Sequence, residues 1–311
     1  MKVMNYENYI KGKYEKKTWI ALGNFDGVHV AHQQILKDAA AHAKEYGTIP
    51  TVLLFEPHPE IYFKDRKDFL LTTFEEKIEK IRQCGIELAV VKDFETEFAK
   101  KSPLEFAKWI KESLNAAGVS IGYDYTFGAK KQGKAEDLMA YGKSLNFWIS
   151  TVPPVKSEDQ IPISSSLCRE LLKNGRPDEA SKYLNSPYNI SGPVVKGDGR
   201  GKTLGFPTAN IEPPANKLLP CRGVYLVKVR KNNESHWGIC NIGLRPTFDK
   251  KIDTIEIHLL DFDEIIYDCS LTLYFIEYIR PEKYFETPDA LAIQMEKDLN
   301  VAKDKISKSL H

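Results

Sequence analysis

Short apolar segments alternate with amphipathic segments from residue 18 to about residue 184. The apolar segments predict strands at residues 19–22, 51–55, 88–91, 119–122 and 147–152. The segments between them predict helices, one of which begins at a capping box with proline in the first helical position, Ser102-Pro103-Leu104-Glu105. Strands that alternate with helices are typical of a parallel α/β sheet.

The pattern changes after a cluster of helix-breaking residues, Asn185-Ser186-Pro187. Beyond it, β-rich runs are predicted at residues 224–229, 237–242, 254–260 and 269–276, and a helix begins at Thr287-Pro288. We therefore expect two domains, residues 1–184 and residues 185–311. The first is a Rossmann-like parallel-sheet domain of the α/β class, and the second is a small antiparallel β-barrel with a C-terminal helix.

The bulk properties narrow the class of partner. A length of 311 residues favours two domains, and a net charge of +1 gives no electrostatic reason to expect nucleic acid. No apolar run approaches the roughly 20 residues of a membrane span, and the polar N-terminus lacks the apolar region of a signal peptide. The sequence thus predicts a cytoplasmic protein that binds small molecules, with no membrane partner, and leaves its oligomeric state open.

A glycine-rich segment in the second half predicts a loop that binds phosphate. Glycines let backbone N–H groups turn toward an anion, and two cations add charge. The residues are Gly197, Gly199, Arg200, Gly201, Lys202 and Gly205. The loop differs from a P-loop at Lys196 and from a dinucleotide-binding turn at Leu204, and an ordinary turn remains the alternative. After it, Thr208 and Asn210 are two residues apart, so in an extended segment both could bind one hard cation.

The loop after the first strand enters a helix, at the sheet edge where α/β proteins bind ligands. It contains His29 and His32, which are one helical turn apart, and the helix N-terminus favours phosphate. His58 follows the second strand and is expected at the same edge as a third phosphate contact. Two histidines at this spacing could also bind zinc or be ordinary surface residues.

Two further segments carry polar groups whose function is ambiguous. Ser165 and Ser166 begin a predicted helix with Arg169 one turn later, which describes either an anion site or a plain capped helix. In the strand at residues 254–260, alternation places Glu256 and His258 on the face opposite the apolar residues. Glu256 therefore faces either water or a site.

The second half resembles riboflavin kinases. The resemblance rests on the glycine-rich loop, the strand of Glu256 and the sequence that follows the loop, Pro207-Thr208-Ala209-Asn210. It implies that Thr208 and Asn210 hold the Mg²⁺ of MgATP, that the loop binds ATP phosphates, and that Glu256 is the catalytic base. It also implies a flavin site lined by Arg280 and Phe285, for which a surface cation and a core aromatic are the alternatives.

The first half resembles bacterial FMN adenylyltransferases, whose motif is Gly-x-Phe-Asp-Gly-x-His-x-Gly-His. Residues 23–32 match it except at Ala31, which adds a methyl group where the family has glycine. Supporting segments are residues 55–59, 122–128 and 163–169. The resemblance implies catalysis by His29, His32 and Arg169. It implies ATP or phosphate contacts from Gly23, Phe25, Asp26, His58, Ser165 and Ser166.

Asp124 and Phe127 resemble the family's positions beside the flavin and the adenine, with a turn aspartate and a core aromatic as alternatives. Over residues 15–300 the resemblance implies a bifunctional riboflavin kinase and FAD synthetase. Its substrates and products would be ATP, riboflavin, FMN and FAD, with Mg²⁺. Two other hypotheses stay open: a riboflavin kinase whose adenylyltransferase domain is impaired at Ala31, and a flavin- and nucleotide-binding protein without turnover.

Overall fold

The computed structural model describes residues 1–12, 16–64, 66–196, 205–232, 234–246, 251–262 and 269–309. The chain forms two compact units, Met1–Ser165 and Ser166–His311. Within these residues, no helix combines the length and the apolar character needed to cross a bilayer.

The first unit contains a parallel sheet of six strands. These are β1 (Lys2–Asn5), β2 (Thr18–Leu22), β3 (Ile49–Glu56), β4 (Leu88–Asp93), β5 (Ala116–Gly122) and β8 (Trp148–Val152), in the order β1-β4-β3-β2-β5-β8. A small antiparallel pair is formed by β6 (Thr126–Phe127) and β7 (Gly133–Lys134). The helices are α1 (Tyr6–Lys11), α2 (Val30–Glu45), α3 (Pro59–Lys64), α4 (Phe74–Arg82), α5 (Thr96–Ala99), α6 (Pro103–Ser113) and α7 (Ala135–Leu145).

Both faces of the central strands of this sheet are buried, which explains why strands such as β2 and β3 are apolar at nearly every position. Along β2, Ile20 and Leu22 pack into one hydrophobic cluster, whereas Trp19 and Ala21 pack into the cluster on the other face. The predicted parallel α/β fold is confirmed. The sequence did not predict β1, because this edge strand is short and largely exposed, and its residues carry no apolar pattern.

The second unit is built around a closed antiparallel barrel. Its strands are β9 (Tyr188–Val195), β10 (Ala209–Ile211), β11 (Gly223–Lys231), β12 (Glu234–Pro246), β13 (Lys251–Leu259) and β14 (Ser270–Arg280), in the order β10-β13-β12-β11-β14-β9. Its helices are α8 (Ser165–Lys173, which begins at the last residue of the first unit), α9 (Pro177–Leu184) and α10 (Pro288–Ser309). The predicted barrel and C-terminal helix are confirmed.

Strand β9 closes the barrel by pairing with both β10 and β14. The sequence did not predict this strand, because Gly192 and Pro193 are unfavourable in strands. Here the glycine is required by close backbone approach, since a Cβ at Gly192 would lie 2.0 Å from the carbonyl oxygen of Glu212. Helix α9 packs against β9 and β14, which explains why the segment before Asn185 groups with the barrel. The domain limit at residues 184 and 185 stays a prediction.

Two candidate nucleotide sites

The loop between β2 and α2 is a tight turn with unusual backbone angles. Phe25 has φ 50° and Val28 has φ 45°, in the left-handed region that a β-branched residue rarely adopts. Both side chains are fully buried, and the packing holds the backbone in this conformation. A Cβ at Gly23 would lie 3.1 Å from the phenyl ring of Phe25, so a larger residue there would crowd this buried side chain. The sequence predicted Gly23 and Phe25 as ATP contacts, and in the structure they shape the loop.

Asp26 holds this loop to the rest of the first unit. Its buried carboxylate accepts hydrogen bonds from the backbone N–H groups of Leu71, at 3.0 and 3.1 Å, and Thr72, at 3.2 Å. The N–H of Gly27 donates to the Thr72 hydroxyl at 3.0 Å, and the Ser165 hydroxyl donates to the carbonyl oxygen of Asp26 at 2.9 Å. Asp26 therefore fixes the loop, and its direct contact with ATP stays a prediction.

His29 and His32 meet at the N-terminus of α2. Their rings stack with centroids 3.6 Å apart. His29 is the N-cap residue, and its Nδ1 accepts the N–H of His32 at 3.3 Å. Because a backbone N–H can only donate, this Nδ1 carries no proton, and the neutral ring of His29 is protonated at Nε2. The arrangement places an imidazole N–H donor at the positive end of a helix of 16 residues.

His58 follows β3, which is the parallel neighbour of β2, so both loops leave the same edge of the sheet. Its side chain is buried, and its Nδ1 accepts the N–H of Glu60 at 3.1 Å. The same reasoning gives a neutral His58 ring an Nε2 proton. The predicted position at the edge of the sheet is confirmed, and the predicted phosphate contact stays a prediction.

Lys77 is a buried cation near this loop that the sequence did not single out. It is 5% exposed. Burial lowers its pKa, and the carboxylates of Asp26 and Glu56 act in the opposite direction. Burial also raises the pKa of Glu56, an effect that Lys77 opposes. One signal could have revealed Lys77: it occupies the apolar stripe of α4 together with Phe74, Ile78 and Ile81.

The remaining predicted residues of the first site differ in their surroundings. Asp124 is exposed in the turn after β5, whereas Phe127 is 4% exposed and packs against Phe106 with ring centroids 5.5 Å apart. Ser166 is exposed near the start of α8, and Arg169 is half-buried on the same helix, one turn after Ser165. Ser166 and Arg169 belong to the second unit, and their roles at the first site stay predictions.

In the barrel, Glu256 on β13 is the cross-strand partner of Asn210 on β10. Directly opposite residues point to the same face of a sheet. The flanking side chains, Ala209, Ile211, Ile255 and Ile257, are buried. Glu256 and Asn210 are half-buried on the outer face of the barrel, and Thr208 is also half-buried. The predicted alternation of this strand is confirmed.

Asn241 of β12 pairs with Glu256 from the other side. The carboxylate therefore lies in a row between two asparagines, Asn210 and Asn241. The sequence analysis did not single out Asn241, although a polar residue between the apolar residues Cys240 and Ile242 of a predicted strand is a usable signal. In the structure Asn241 is half-buried, and Cys240 and Ile242 are buried. Burial raises the pKa of the Cys240 thiol, and the nearby charge of Glu256 raises it further, so this thiol stays protonated.

The glycine-rich loop lies largely outside the described residues, which include none of Gly197, Gly199, Arg200, Gly201 and Lys202. Gly205 is described and has φ +83°, and a Cβ built there would have no atom within 4 Å. This backbone conformation favours glycine in a turn.

Arg280 and Phe285, the predicted flavin contacts, lie close together. The Arg280 guanidinium is 5.8 Å from the centroid of the Phe285 ring. It also donates to both carboxylate oxygens of Asp298 on α10, at 2.7 to 3.0 Å, and these side chains are 14% and 5% exposed. Arg280 thus joins α10 to β14. Its flavin contact stays a prediction.

The donor atoms around Thr208 suit a hard cation. A hydroxyl and an amide oxygen are of the oxygen-ligand class that Mg²⁺ prefers, and nucleotide phosphates usually supply the rest. Among the described residues, no group of three or more His, Cys, Asp or Glu side chains is arranged to hold a metal ion. A metal at this position would therefore depend on neutral oxygen donors and on the nucleotide.

Comparison with known proteins assigns each half of the chain to a protein family. Residues 11–167 match the family model for FAD synthetase, and residues 184–306 match that for riboflavin kinase. The chain is 38% identical over 282 residues to a bifunctional riboflavin kinase/FMN adenylyltransferase from Listeria monocytogenes, covering 90% of this chain and 89% of the relative. The chain belongs to this bifunctional family.

A second curated relative and a solved structure are also similar to this chain over nearly its full length. The bifunctional riboflavin kinase/FMN adenylyltransferase of Bacillus subtilis is 36% identical over 303 residues, covering 95% of this chain and 94% of that one. A crystal structure from Streptococcus pneumoniae, described as a macrolide-efflux protein, has a TM-score of 0.88 at 30% identity and covers 97% of this chain and 99% of that chain. The overall fold is therefore shared with a solved structure over nearly its full length.

Proposed function

We propose that the protein phosphorylates riboflavin to FMN in the barrel and adenylylates FMN to FAD in the first unit. The observation that carries the kinase assignment is the pairing of Glu256 with Asn210, which places a carboxylate beside oxygen donors suited to a nucleotide-bound metal. The domain limits at residues 1–184 and 185–311 are part of this proposal.

In the kinase step, Glu256 accepts the proton of the riboflavin 5′-hydroxyl as that oxygen bonds to the γ-phosphorus of ATP. The bond from the γ-phosphorus to the bridging oxygen breaks, and ADP leaves. Thr208 and Asn210 would hold Mg²⁺, which when bound neutralises phosphate charge. Since Glu256 and Asn210 lie on paired strands, the ladder of hydrogen bonds fixes their separation before either substrate binds.

In the adenylyl step, an oxygen of the FMN phosphate bonds to the α-phosphorus of ATP, and the bond to the departing pyrophosphate breaks. A phosphate nucleophile is already ionised at neutral pH, so this step needs no general base. His29 contributes its Nε2 proton as a donor to phosphate oxygens, and the N-terminus of α2 stabilises the negative charge. We assign His32 the same task, and we assign Arg169 to the departing pyrophosphate.

The kinase-only alternative is not favoured, because the FAD synthetase model matches the first half of the chain. Local structure supports this assignment. Ala31 lies in α2, and its φ is not positive. The backbone at this position therefore does not require glycine. The remaining effect of Ala31 is one methyl group.

A product time course from riboflavin and MgATP tests the proposal. We expect FMN to appear first and FAD to follow in the same preparation, as measured by chromatography. A second reaction supplied with FMN instead of riboflavin isolates the adenylyl step. Formation of FMN from riboflavin with no FAD in either reaction would support the kinase-only alternative. Binding of flavin without any product would indicate a protein without turnover.

A further inference from the structure

His258 connects the catalytic strand to the segment that contains the proposed metal ligands. It lies on β13, two residues after Glu256 and on the same face. Its Nδ1 is 2.9 Å from the carbonyl oxygen of Pro207, the residue before Thr208. Its ring also contacts the ring of Phe206 edge-on, with centroids 5.6 Å apart at 75°.

The geometry determines the role of each atom in this contact. A carbonyl oxygen can only accept a hydrogen bond. Nδ1 of His258 therefore carries the ring proton and donates a hydrogen bond to the carbonyl oxygen of Pro207. The register of the strands explains why the contact forms here. Asn210 pairs with Glu256 and Ala209 with Ile257, so one step further along the same pairing Thr208 comes level with His258.

Thr208 itself precedes the first residue of β10 and therefore lies just outside the ladder that holds Asn210. A ligand residue outside regular structure needs another restraint if its hydroxyl is to be held in place before a ligand binds. The hydrogen bond and the ring contact of His258 restrain the two residues that precede Thr208.

We propose that His258 is a positioning residue of the kinase site, which fixes the backbone before Thr208 and so prepares this hydroxyl for the metal of MgATP. The inference rests on the proposed kinase function and goes beyond it, because it assigns a role to a side chain that takes no part in the chemical step. It predicts that loss of the hydrogen bond weakens binding of the metal–nucleotide complex and leaves the chemical step largely intact.

Three substitutions in the full chain separate the hydrogen bond from other effects. In His258→Asn, the side-chain amide N–H₂ can occupy the place of Nδ1 and donate to Pro207. In His258→Gln, the amide reaches the place of Nε2 instead, and in His258→Ala both are lost. His236→Ala is the matched control, because His236 is a histidine of the same barrel whose ring contacts Phe262 rather than Phe206.

Two readouts are needed, and one of them does not depend on turnover. Calorimetric titration with MgADP measures binding, and the same titration of Thr208→Ala identifies the signal that belongs to the barrel. Riboflavin phosphorylation at varied MgATP gives KM and kcat separately. We expect His258→Ala and His258→Gln to weaken MgADP binding and to raise KM by about 2- to 12-fold, the range for one lost hydrogen bond. We expect kcat to change by less than about threefold.

His258→Asn should restore both values to within about twofold of the wild type, and His236→Ala should match the wild type. Adenylylation of supplied FMN should be unchanged in every variant. Equal behaviour of the Asn and Gln variants, or wild-type MgADP binding in His258→Ala, would overturn the proposal. If His258→Ala does not fold, the comparison of Asn with Gln decides. If Thr208→Ala itself binds MgADP as the wild type does, the metal assignment fails instead.

Discussion

Glu256 of β13 lies directly across from Asn210 of β10 on the outer face of the barrel. Directly opposite residues in an antiparallel pair have Cβ atoms about 5 Å apart, which is close enough for a carboxylate and a metal-bound phosphate to act on one hydroxyl group. The two residues are 46 positions apart in the sequence. Only the barrel topology brings them together.

Replacing Glu256 with glutamine should abolish most of the kinase activity. Without the carboxylate, no base accepts the hydroxyl proton, and we expect kcat for riboflavin phosphorylation to fall by roughly 100- to 10,000-fold. Chromatography of the products measures this. FAD formation from supplied FMN should be unaffected. Glu234→Gln, at a glutamate that is 68% exposed at the start of β12, is the control and should retain full activity. Substantial FMN production by Glu256→Gln would remove Glu256 from its assigned role.

His29→Asn separates catalysis from helix capping at the first site. Asparagine is a good N-cap residue, so α2 should keep its stability, but the Nε2 donor is lost. We expect FAD synthesis from FMN to fall by about 100-fold, as for removal of one donor to a developing charge. His29→Ala should show the same loss of activity and should also lower the stability by about 1 kcal/mol. Normal FAD synthesis in the Asn variant would leave His29 with a capping role alone.

Ala31→Gly tests whether the alanine impairs the first unit. Because the helical backbone at Ala31 does not require glycine, we expect FAD synthesis to rise by less than about tenfold. Glycine should also lower the stability of α2 by up to about 1 kcal/mol. Initial rates with supplied FMN and a thermal unfolding curve measure both effects. A larger gain in FAD synthesis would favour the kinase-only alternative.

The ion pair of Arg280 and Asp298 should dominate the stability of the junction between β14 and α10. Asp298→Asn leaves a nearly buried guanidinium without its charged partner. We expect the free energy of unfolding to fall by about 3–5 kcal/mol. The double variant Arg280→Met/Asp298→Leu removes both charges and should recover most of that loss. The KM for riboflavin in the double variant then tests the flavin role separately. A KM close to that of the wild type would show that Arg280 is structural.

Lys77 predicts a pH dependence of stability. Because its pKa is lower in the folded than in the unfolded state, the folded state binds fewer protons between these two values. The contribution of Lys77 to stability therefore rises with pH as the lysine loses its proton, and it falls as the pH is lowered. Thermal unfolding at about pH 7 and about pH 10 measures this. The wild type should gain stability relative to Lys77→Met at the higher pH.

Lys108→Met, at an exposed lysine of α6, is the control for this experiment and should show no such difference from the wild type. The opposite trend, in which Lys77→Met gains on the wild type as the pH rises, would contradict the assigned direction of the pKa shift.

Periodicity predicted most elements of the fold, because a buried parallel strand and a half-buried barrel strand each have a characteristic pattern. Helix α6, predicted to begin at the capping box of Ser102, begins at Pro103 in the structure with Ser102 as its N-cap. Two of the strands that periodicity did not predict, β1 and β9, are stabilised by pairing with β4 and with β10 and β14, and not by a pattern of their own. Pairing between distant segments leaves no local signal.

The candidate site residues named from the sequence belong to contiguous motifs, and the neighbours that the fold brings beside them were not predicted. Asn241 and Lys77 come close to Glu256 and Asp26 only through strand register and helix packing. Burial also could not be read from the motif. Phe25 and Phe127 were expected at ligands, and they are 0% and 4% exposed in the structure.

The closed barrel limits where the two halves can be separated. Strand β9 lies between β10 and β14 in the closed barrel. A fragment that starts after Val195 would therefore leave β10 and β14 with unpaired edges. Open edges of this kind recruit other chains and promote aggregation. A kinase fragment for crystallography should therefore begin no later than Tyr188, and preferably before Pro177, so that α9 still covers its strands.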